Sequence, residues 1–309
     1  METPMKLFDR SVRVTDQVYI ALRDDGDFTN ARNHVEELWR YFEPYADPHF
    51  RKEIADNFQP RYWEMYLGYL ALRAKLSVMS KKKNRGKGPD LQVTLTTGQN
   101  LFIEATAPGP GTGDNEVPEP TPLRVGVNEI AQDIPIEKIL LRITSSIETK
   151  FEAYDRYLRD QILRPNDPYI VAVNPGAMPS ARGEFFDPPL IIRSLFGVGN
   201  LMVSFDRDNP GLNETHYSIC HQIIKHNDEP IGTKYFLDSR YCGLSAIIFS
   251  DAHPLSLPKP DGSEFKLVHN PDATNPVDRG LFKIGREYWA EGTRIHSTNW
   301  NEHSSRCYP

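Results

Sequence analysis

The chain of 309 residues has few cysteines and no long hydrophobic run. Its three cysteines, at positions 220, 242 and 307, are too few and too scattered for the disulfide framework of a small secreted domain. Strongly apolar stretches such as residues 244–249 are far too short to cross a bilayer. Residues 1–13 lack the apolar core of a secretory signal peptide. We therefore expect a cytoplasmic protein with no membrane partner.

An excess of positive charge is also missing, because the formal net charge is −6. A small protein that coats DNA is strongly basic, so any contact with nucleic acid must use a local basic patch. Hydrophobic residues make up 39% of the chain, with 15 Phe and 14 Tyr. That is enough apolar material for a packed core, which excludes wholesale disorder.

The chain alternates between segments with helical and with strand character. Residues 34–43, 61–76 and 136–162 carry apolar side chains at the spacing of an amphipathic helix. Residues 169–173 and 244–250 are typical of buried strands. This order predicts an α/β fold in which a mixed central sheet is flanked by helices.

The segment with most chemical information is residues 89–106, which the pattern predicts to be two strands joined by a turn. On the two strands, outside the turn, odd positions are apolar and even positions are polar, with one exception, so one face of the hairpin meets the core. A turn centred on Gly98 pairs Gln92 with Glu104, although other registers that keep the same faces remain open. In the Gly98 register Asp90 and Glu104 are diagonal neighbours, about 7–8 Å apart at the backbone.

Two carboxylates at that separation can share a cation. They repel each other when both are ionised, and a hard divalent ion relieves the repulsion. Mg²⁺ is usually bound through one or two carboxylates together with substrate phosphate and water. The hairpin therefore predicts a Mg²⁺ site at Asp90 and Glu104, with Mn²⁺ as a substitute ion.

The motif Gly88-Pro89-Asp90, followed after 13 residues by Glu104-Ala105-Thr106, resembles the PD-(D/E)XK signature of the restriction-endonuclease-like nucleases. The resemblance extends to an upstream helix that bears a glutamate, Glu64, to a helix after the second strand and to later buried strands. It implies that Asp90 and Glu104 bind Mg²⁺ and that Glu64 is an accessory acid. A lysine would position or activate the attacking water, but Thr106 stands at the lysine position.

Lys150 on the long predicted helix is the candidate for the displaced lysine. Together with Arg142 and Ser146 it forms a line at spacings of four residues, beside the apolar stripe of that helix. A basic run just before Asp90 is the candidate for binding backbone phosphates, together with Arg142. The residues of that run are Lys81, Lys82, Lys83, Arg85 and Lys87.

The resemblance predicts a restriction-endonuclease-like core at residues 56–252. A helical extension at 1–55 would precede it, and a loop-rich tail at 253–309 would pack on it. The expected activity is metal-dependent hydrolysis of phosphodiester bonds in nucleic acid, with DNA favoured over RNA. A homodimer or a partner protein remains open.

Three alternatives stay open at this point. Glu64 is the only charged residue between Tyr62 and Leu72, so it needs a partner and a structural salt bridge would serve it as well as a metal. Thr106 and the acidic net charge fit an inactive nuclease-fold module that binds or regulates within a larger complex. The third alternative is a structural protein with an unrelated α/β fold.

Overall fold

The computed structural model describes residues 6–81, 88–120, 133–183, 186–205, 213–256, 262, 264–301 and 304–308. The chain folds as a mixed α/β protein in which one large central sheet is flanked by helices on both faces. Within the described residues, no helix is long and apolar enough to span a membrane.

Six α-helices lie in the described part of the chain. They are α1 (Gln17–Asp24), α2 (Thr29–Phe42), α3 (Phe50–Asp56), α4 (Phe58–Arg73), α5 (Ile136–Arg159) and α6 (Leu190–Phe196). The predicted helices at 34–43, 61–76 and 136–162 correspond to α2, α4 and α5, with ends shifted by a few residues.

The described strands form one nine-stranded sheet and two hairpins. The strands are β1 (Ser77–Val78), β2 (Leu91–Thr94), β3 (Asn100–Thr106), β4 (Tyr169–Val173), β5 (Val198–Phe205), β6 (Asn213–Ile219), β7 (Gln222–Ile224), β8 (Pro230–Gly232), β9 (Ala246–Phe249), β10 (Lys266–His269), β11 (Arg286–Glu291), β12 (Arg294–Asn299) and β13 (Ser304–Tyr308). The large sheet has the order β1-β2-β3-β4-β9-β10-β11-β12-β13, while β5–β6 and β7–β8 pair separately. In its centre β3, β4 and β9 run parallel, and β1, β2 and β3 run antiparallel.

Two hydrophobic cores cover the two faces of this sheet. On one face α1–α4 pack against the odd-numbered side chains of β2 and β3, such as Val93 and Ile103. On the other face α5 and α6 pack against alternate side chains that include Phe102 and Val171. Strand β3 is therefore covered on both faces, which explains why its single apolar even position, Phe102, is buried.

The register of the hairpin differs from the predicted pairing by two residues. Leu91 lies opposite Ile103 and Gln92 opposite Phe102, so the pairing of Gln92 with Glu104 is wrong. The reason is the turn: Leu95 N–H donates to Gln99 O at 2.8 Å, which closes a three-residue loop. Gly98 is the last loop residue, with φ of +82°. A shift by two preserves the faces, and it makes Asp90 the extrapolated neighbour directly across from Glu104.

The C-terminal segment also differs from the prediction. Residues 253–309 contribute β10, β11, β12 and β13 to the large sheet, so they are not a loop-rich tail. β10 pairs with β9 on one side and with β11 on the other, which joins this segment to the central strands. At the other end, α1–α3 share one hydrophobic core with α4 and the sheet. The boundaries of the expected domains stay a prediction.

Candidate active site

Three carboxylates approach one another near the end of the sheet where β2 begins. Glu64 lies on α4, Asp90 directly precedes β2, and Glu104 lies near the end of β3. Asp90 is fixed across the hairpin because its Oδ2 accepts a hydrogen bond of 2.8 Å from Ala105 N–H. The two acids of the predicted pair are therefore neighbours, and the sheet register holds them there.

Glu104 is buried on the face of the sheet that α5 covers. Its Oε1 accepts a hydrogen bond from Lys150 Nζ at 2.8 Å, and its Oε2 accepts one from the Tyr157 hydroxyl at 3.2 Å. Lys150 and Tyr157 are seven residues apart on α5, so two turns of that helix present both donors to one carboxylate. The lysine from α5 thus meets the acid of β3, while Thr106 ends that strand.

Burial raises the pKa of Glu104 above its ordinary value, and repulsion by Asp90 raises it further. Lys150 acts in the opposite direction by stabilising the ionised carboxylate. Burial and the Glu104 carboxylate also raise the pKa of Tyr157 to about 12, so its hydroxyl stays a hydrogen-bond donor at neutral pH. Glu104 is thus an acid whose charge depends on a nearby cation.

Glu64 is also buried, and cations contact both of its oxygens. Arg61 donates to Glu64 Oε2 at 2.7 Å, and Lys81 Nζ lies 3.3 Å from Glu64 Oε1. Burial raises the pKa of Glu64, Lys81 lowers it, and Asp90 raises it. The salt bridge expected as one alternative for Glu64 is therefore present, and the electrostatic effect of Asp90 shows that Glu64 belongs to the same cluster.

Lys81 lies between two of the acids rather than on a free phosphate-binding surface. Its Nζ is 3.7 Å from Asp90 Oδ1 as well as 3.3 Å from Glu64 Oε1. The other members of the predicted basic run, Lys82, Lys83, Arg85 and Lys87, lie outside the described residues. Arg142 is directed elsewhere, because its Nε donates to Gly109 O at 2.9 Å.

The sequence analysis did not identify Arg61 and Tyr157 as contacts of the acids. It did name Lys81, but as a phosphate-binding residue and not as a partner of the acids. Arg61 stands three residues before Glu64 on α4, and that spacing alone could have indicated the pair. Tyr157 follows Lys150 by seven residues, which is about two turns of a helix. The sequence could therefore also have indicated that the two side chains lie on one face of α5. The position of Lys81 depends on contacts distant in sequence, which the local pattern does not contain.

Three cations and five carboxylates form a network of ion pairs around the site. Arg61, Lys81 and Lys150 are the cations, and Arg61 also pairs with Asp47 at 3.3 Å and with Glu53. The carboxylates in these pairs are Asp47, Glu53, Glu64, Asp90 and Glu104.

In this arrangement the acids do not form a complete set of metal ligands. Within the described ranges, no group of three or more His, Cys, Asp or Glu residues is placed so that it could hold a metal ion. Lysine ammonium groups lie against the oxygens instead. Comparison with known proteins found no significant match to a family model, a curated protein or a solved structure.

Proposed function

We propose that the chain is a metal-dependent nuclease that hydrolyses phosphodiester bonds, with DNA favoured over RNA as substrate. The observation that carries the proposal is the group formed by Asp90, Glu104 and Lys150. A lysine from α5 donates to the second acid of the hairpin at 2.8 Å, although Thr106 occupies the expected lysine position. Acid pair and lysine are the three components that the PD-(D/E)XK resemblance requires.

A restriction-endonuclease-like core is part of this proposal. The element order supports it: α4 with Glu64 comes first, the β2–β3 hairpin follows, and then come α5 and the buried strands β4 and β9. Trp63 Nε1–H donates to Ala172 O at 3.0 Å, which ties α4 to the sheet beside the acids. The fold assignment rests on this order and on the motif.

Carboxylate oxygens are the hard ligands that Mg²⁺ and Mn²⁺ prefer, so the chemistry of the donor set fits such an ion. Asp90 Oδ1 and Glu104 would hold it, with Glu64 as the accessory acid. When bound, the ion supplies Lewis-acid activation of the phosphoryl group and of water.

The chain's own residues perform the remaining tasks. Ala105 N–H fixes the orientation of Asp90, and Tyr157 fixes that of Glu104. Lys150 lies beside Glu104, where its positive charge would offset the negative charge that develops on a phosphoryl group in the transition state. The other residues of the basic run, Lys82, Lys83, Arg85 and Lys87, would hold the flanking phosphates.

The test is cleavage of supercoiled plasmid and of single-stranded DNA and RNA, each with Mg²⁺ or Mn²⁺. Asp90→Asn, Glu104→Gln and Lys150→Met should each reduce the rate by about a hundredfold or more, because each removes one of the groups that act together. Glu137→Gln, at an exposed acid on the same α5 helix, is the matched control and should cut at the wild-type rate. Wild-type cleavage that no site variant reduces would refute the proposal.

A second candidate is a catalytically inactive module with the same fold that binds or regulates within a complex. The specific observation in its favour is that Lys81 and Lys150 already pair with all three acids without a metal. Such a module would show no saturable Mn²⁺ binding that depends on Asp90. Binding of Mn²⁺ without cleavage of any substrate would favour this candidate over the nuclease.

A further inference from the structure

We propose that Lys81 is a built-in counter-ion that fills the space between Glu64 and Asp90, and that a divalent cation must displace its ammonium group to bind. The inference concerns the regulation of the candidate active site and rests on the proposed function. It assigns Lys81 a role that differs from phosphate binding and from that of Lys150.

Lys81 faces one oxygen of the proposed metal ligand Asp90 and one oxygen of the accessory acid Glu64. Asp90 Oδ2 is taken by Ala105 N–H, which leaves Oδ1, and Lys81 Nζ is 3.7 Å from Oδ1. Glu64 Oε2 is taken by Arg61 at 2.7 Å, which leaves Oε1, and Lys81 Nζ is 3.3 Å from Oε1. A single ammonium group therefore covers the remaining oxygen of each acid.

The two lysines of the site differ in how firmly they are held. Lys150 makes one short hydrogen bond of 2.8 Å to Glu104, and its own carbonyl accepts a hydrogen bond from Tyr169. Among the described residues, Lys81 Nζ bridges two acids at longer distances of 3.3 and 3.7 Å. The bridging lysine is therefore the one that an incoming cation can replace more easily.

Lys81 can leave without moving its backbone. Its N–H donates to Tyr45 O at 3.0 Å, and the neighbouring Ser80 hydroxyl donates to Pro44 O at 2.9 Å, so the chain is anchored there. A cavity of about 270 Å³ lies beside its side chain, lined in part by Met79 and Gln92. The flexible four-carbon stem of lysine can swing its ammonium group into that space.

Displacement of Lys81 would also explain why the described acids do not form a complete set of metal ligands in this arrangement. With Lys81 between Glu64 and Asp90, no three acids of the described residues are placed so that they could hold a metal ion. Exchange of one positive charge for two would relieve the repulsion among Glu64, Asp90 and Glu104. Lys81 would then weaken metal binding in the wild-type protein, because the metal competes with it for the same oxygens.

The experiment is calorimetric titration of Mn²⁺ into the full chain and into Lys81→Met. We expect the variant to bind Mn²⁺ about tenfold more tightly or better, since the competing cation is absent. Lys138→Met on α5, a lysine that forms no ion pair with the part of the chain that the structure describes, is the matched control and should bind as the wild type does. Adding Asp90→Asn to Lys81→Met should abolish the gain, which locates it at this site.

Unchanged or weaker Mn²⁺ binding by Lys81→Met would overturn the inference, as would an absence of binding in both proteins. A second measurement follows the wild type directly: its lysines are reductively ¹³C-methylated, the Lys81 signal is assigned by its absence from Lys81→Met, and that signal is followed during Mg²⁺ titration. Displacement predicts that this signal moves to the position of a free lysine, and a stationary signal contradicts it.

Cleavage that persists while Lys81 has no effect on affinity would leave the nuclease proposal intact and remove only the inference. Tighter Mn²⁺ binding by Lys81→Met without cleavage of any substrate would support the inference and contradict the nuclease proposal.

Discussion

Replacement of Lys150 by methionine tests whether this lysine compensates the charge of Glu104. The substitution keeps an unbranched apolar stem and removes the ammonium group that lies 2.8 Å from Glu104 Oε1. Glu104 then stays buried beside Asp90, and the Tyr157 hydroxyl is its one remaining donor among the described residues. Its pKa, already raised by burial and by Asp90, should rise further.

The expected loss of unfolding free energy depends on how exposed the Lys150–Glu104 ion pair is. Breaking a fully buried ion pair costs about 3–5 kcal/mol, whereas an exposed pair contributes about 1 kcal/mol or less. The Glu104 side chain is 7% exposed and that of Lys150 is 25% exposed, so the pair lies between these limits and nearer the first. We expect Lys150→Met to lower the free energy of unfolding by about 2–3 kcal/mol at pH 8.

The loss should depend on pH in a defined direction. A carboxyl group with a raised folded-state pKa contributes stability below its ordinary value of 4.5, and that stability is lost as the pH rises through the folded-state pKa. Because the pKa of Glu104 is raised more in Lys150→Met than in the wild type, the deficit of the variant should be small near pH 4.5 and should grow toward pH 8. Denaturant unfolding at several pH values measures it, with Lys138→Met as control. A deficit that is equal at all pH values would refute the electrostatic reasoning, because it would show that only packing was lost.

Three further predictions concern the site and the fold. The affinity for Mn²⁺ should increase as the pH rises through the raised pKa of Glu104, because the ion binds the ionised carboxylate; pH-independent titrations between pH 5 and 8 would contradict this. Gly68→Ala should destabilise the chain by about 1–3 kcal/mol in thermal unfolding, because a Cβ there would overlap the Phe42 ring, and wild-type stability would show that the α2–α4 contact is wrong. Although burial raises the pKa of Glu287, its hydrogen bonds with His269, Gly280 N–H and Trp300 together lower it overall, so stability from this group should be lost as the pH falls through the folded-state pKa; Glu287→Gln should lack this acid-side slope.

Local patterns predicted the elements at the centre of the sheet well. Residues 169–173 form β4 as predicted, because a run of apolar residues that ends at Asn174-Pro175-Gly176 fits a buried strand followed by a turn. The hairpin was predicted with correct faces, since alternation determines them, but with the wrong register. The three-residue loop that sets the register depends on Gly98 adopting a positive φ at the end of the turn, which the alternation does not specify.

The C-terminal strands were missed for a different reason. β10 is four residues long and is placed by pairing with β9 and β11, and such partners are invisible to a local pattern. The same holds for the candidate site. Asp90, Glu104 and Lys150 could be chosen from a motif and a helix repeat, whereas Lys81 reaches Glu64 and Asp90 only through the folded chain.

The central claim is that Asp90 and Glu104 hold one hard cation together. Calorimetric titration of Mn²⁺ into wild type, Asp90→Asn and Glu104→Gln tests it most directly, because both variants keep the shape of the side chain and remove only its charge. The account predicts saturable binding to the wild type that either substitution abolishes. Binding that is equal in all three proteins, or no saturable binding to the wild type and to Lys81→Met, would contradict it.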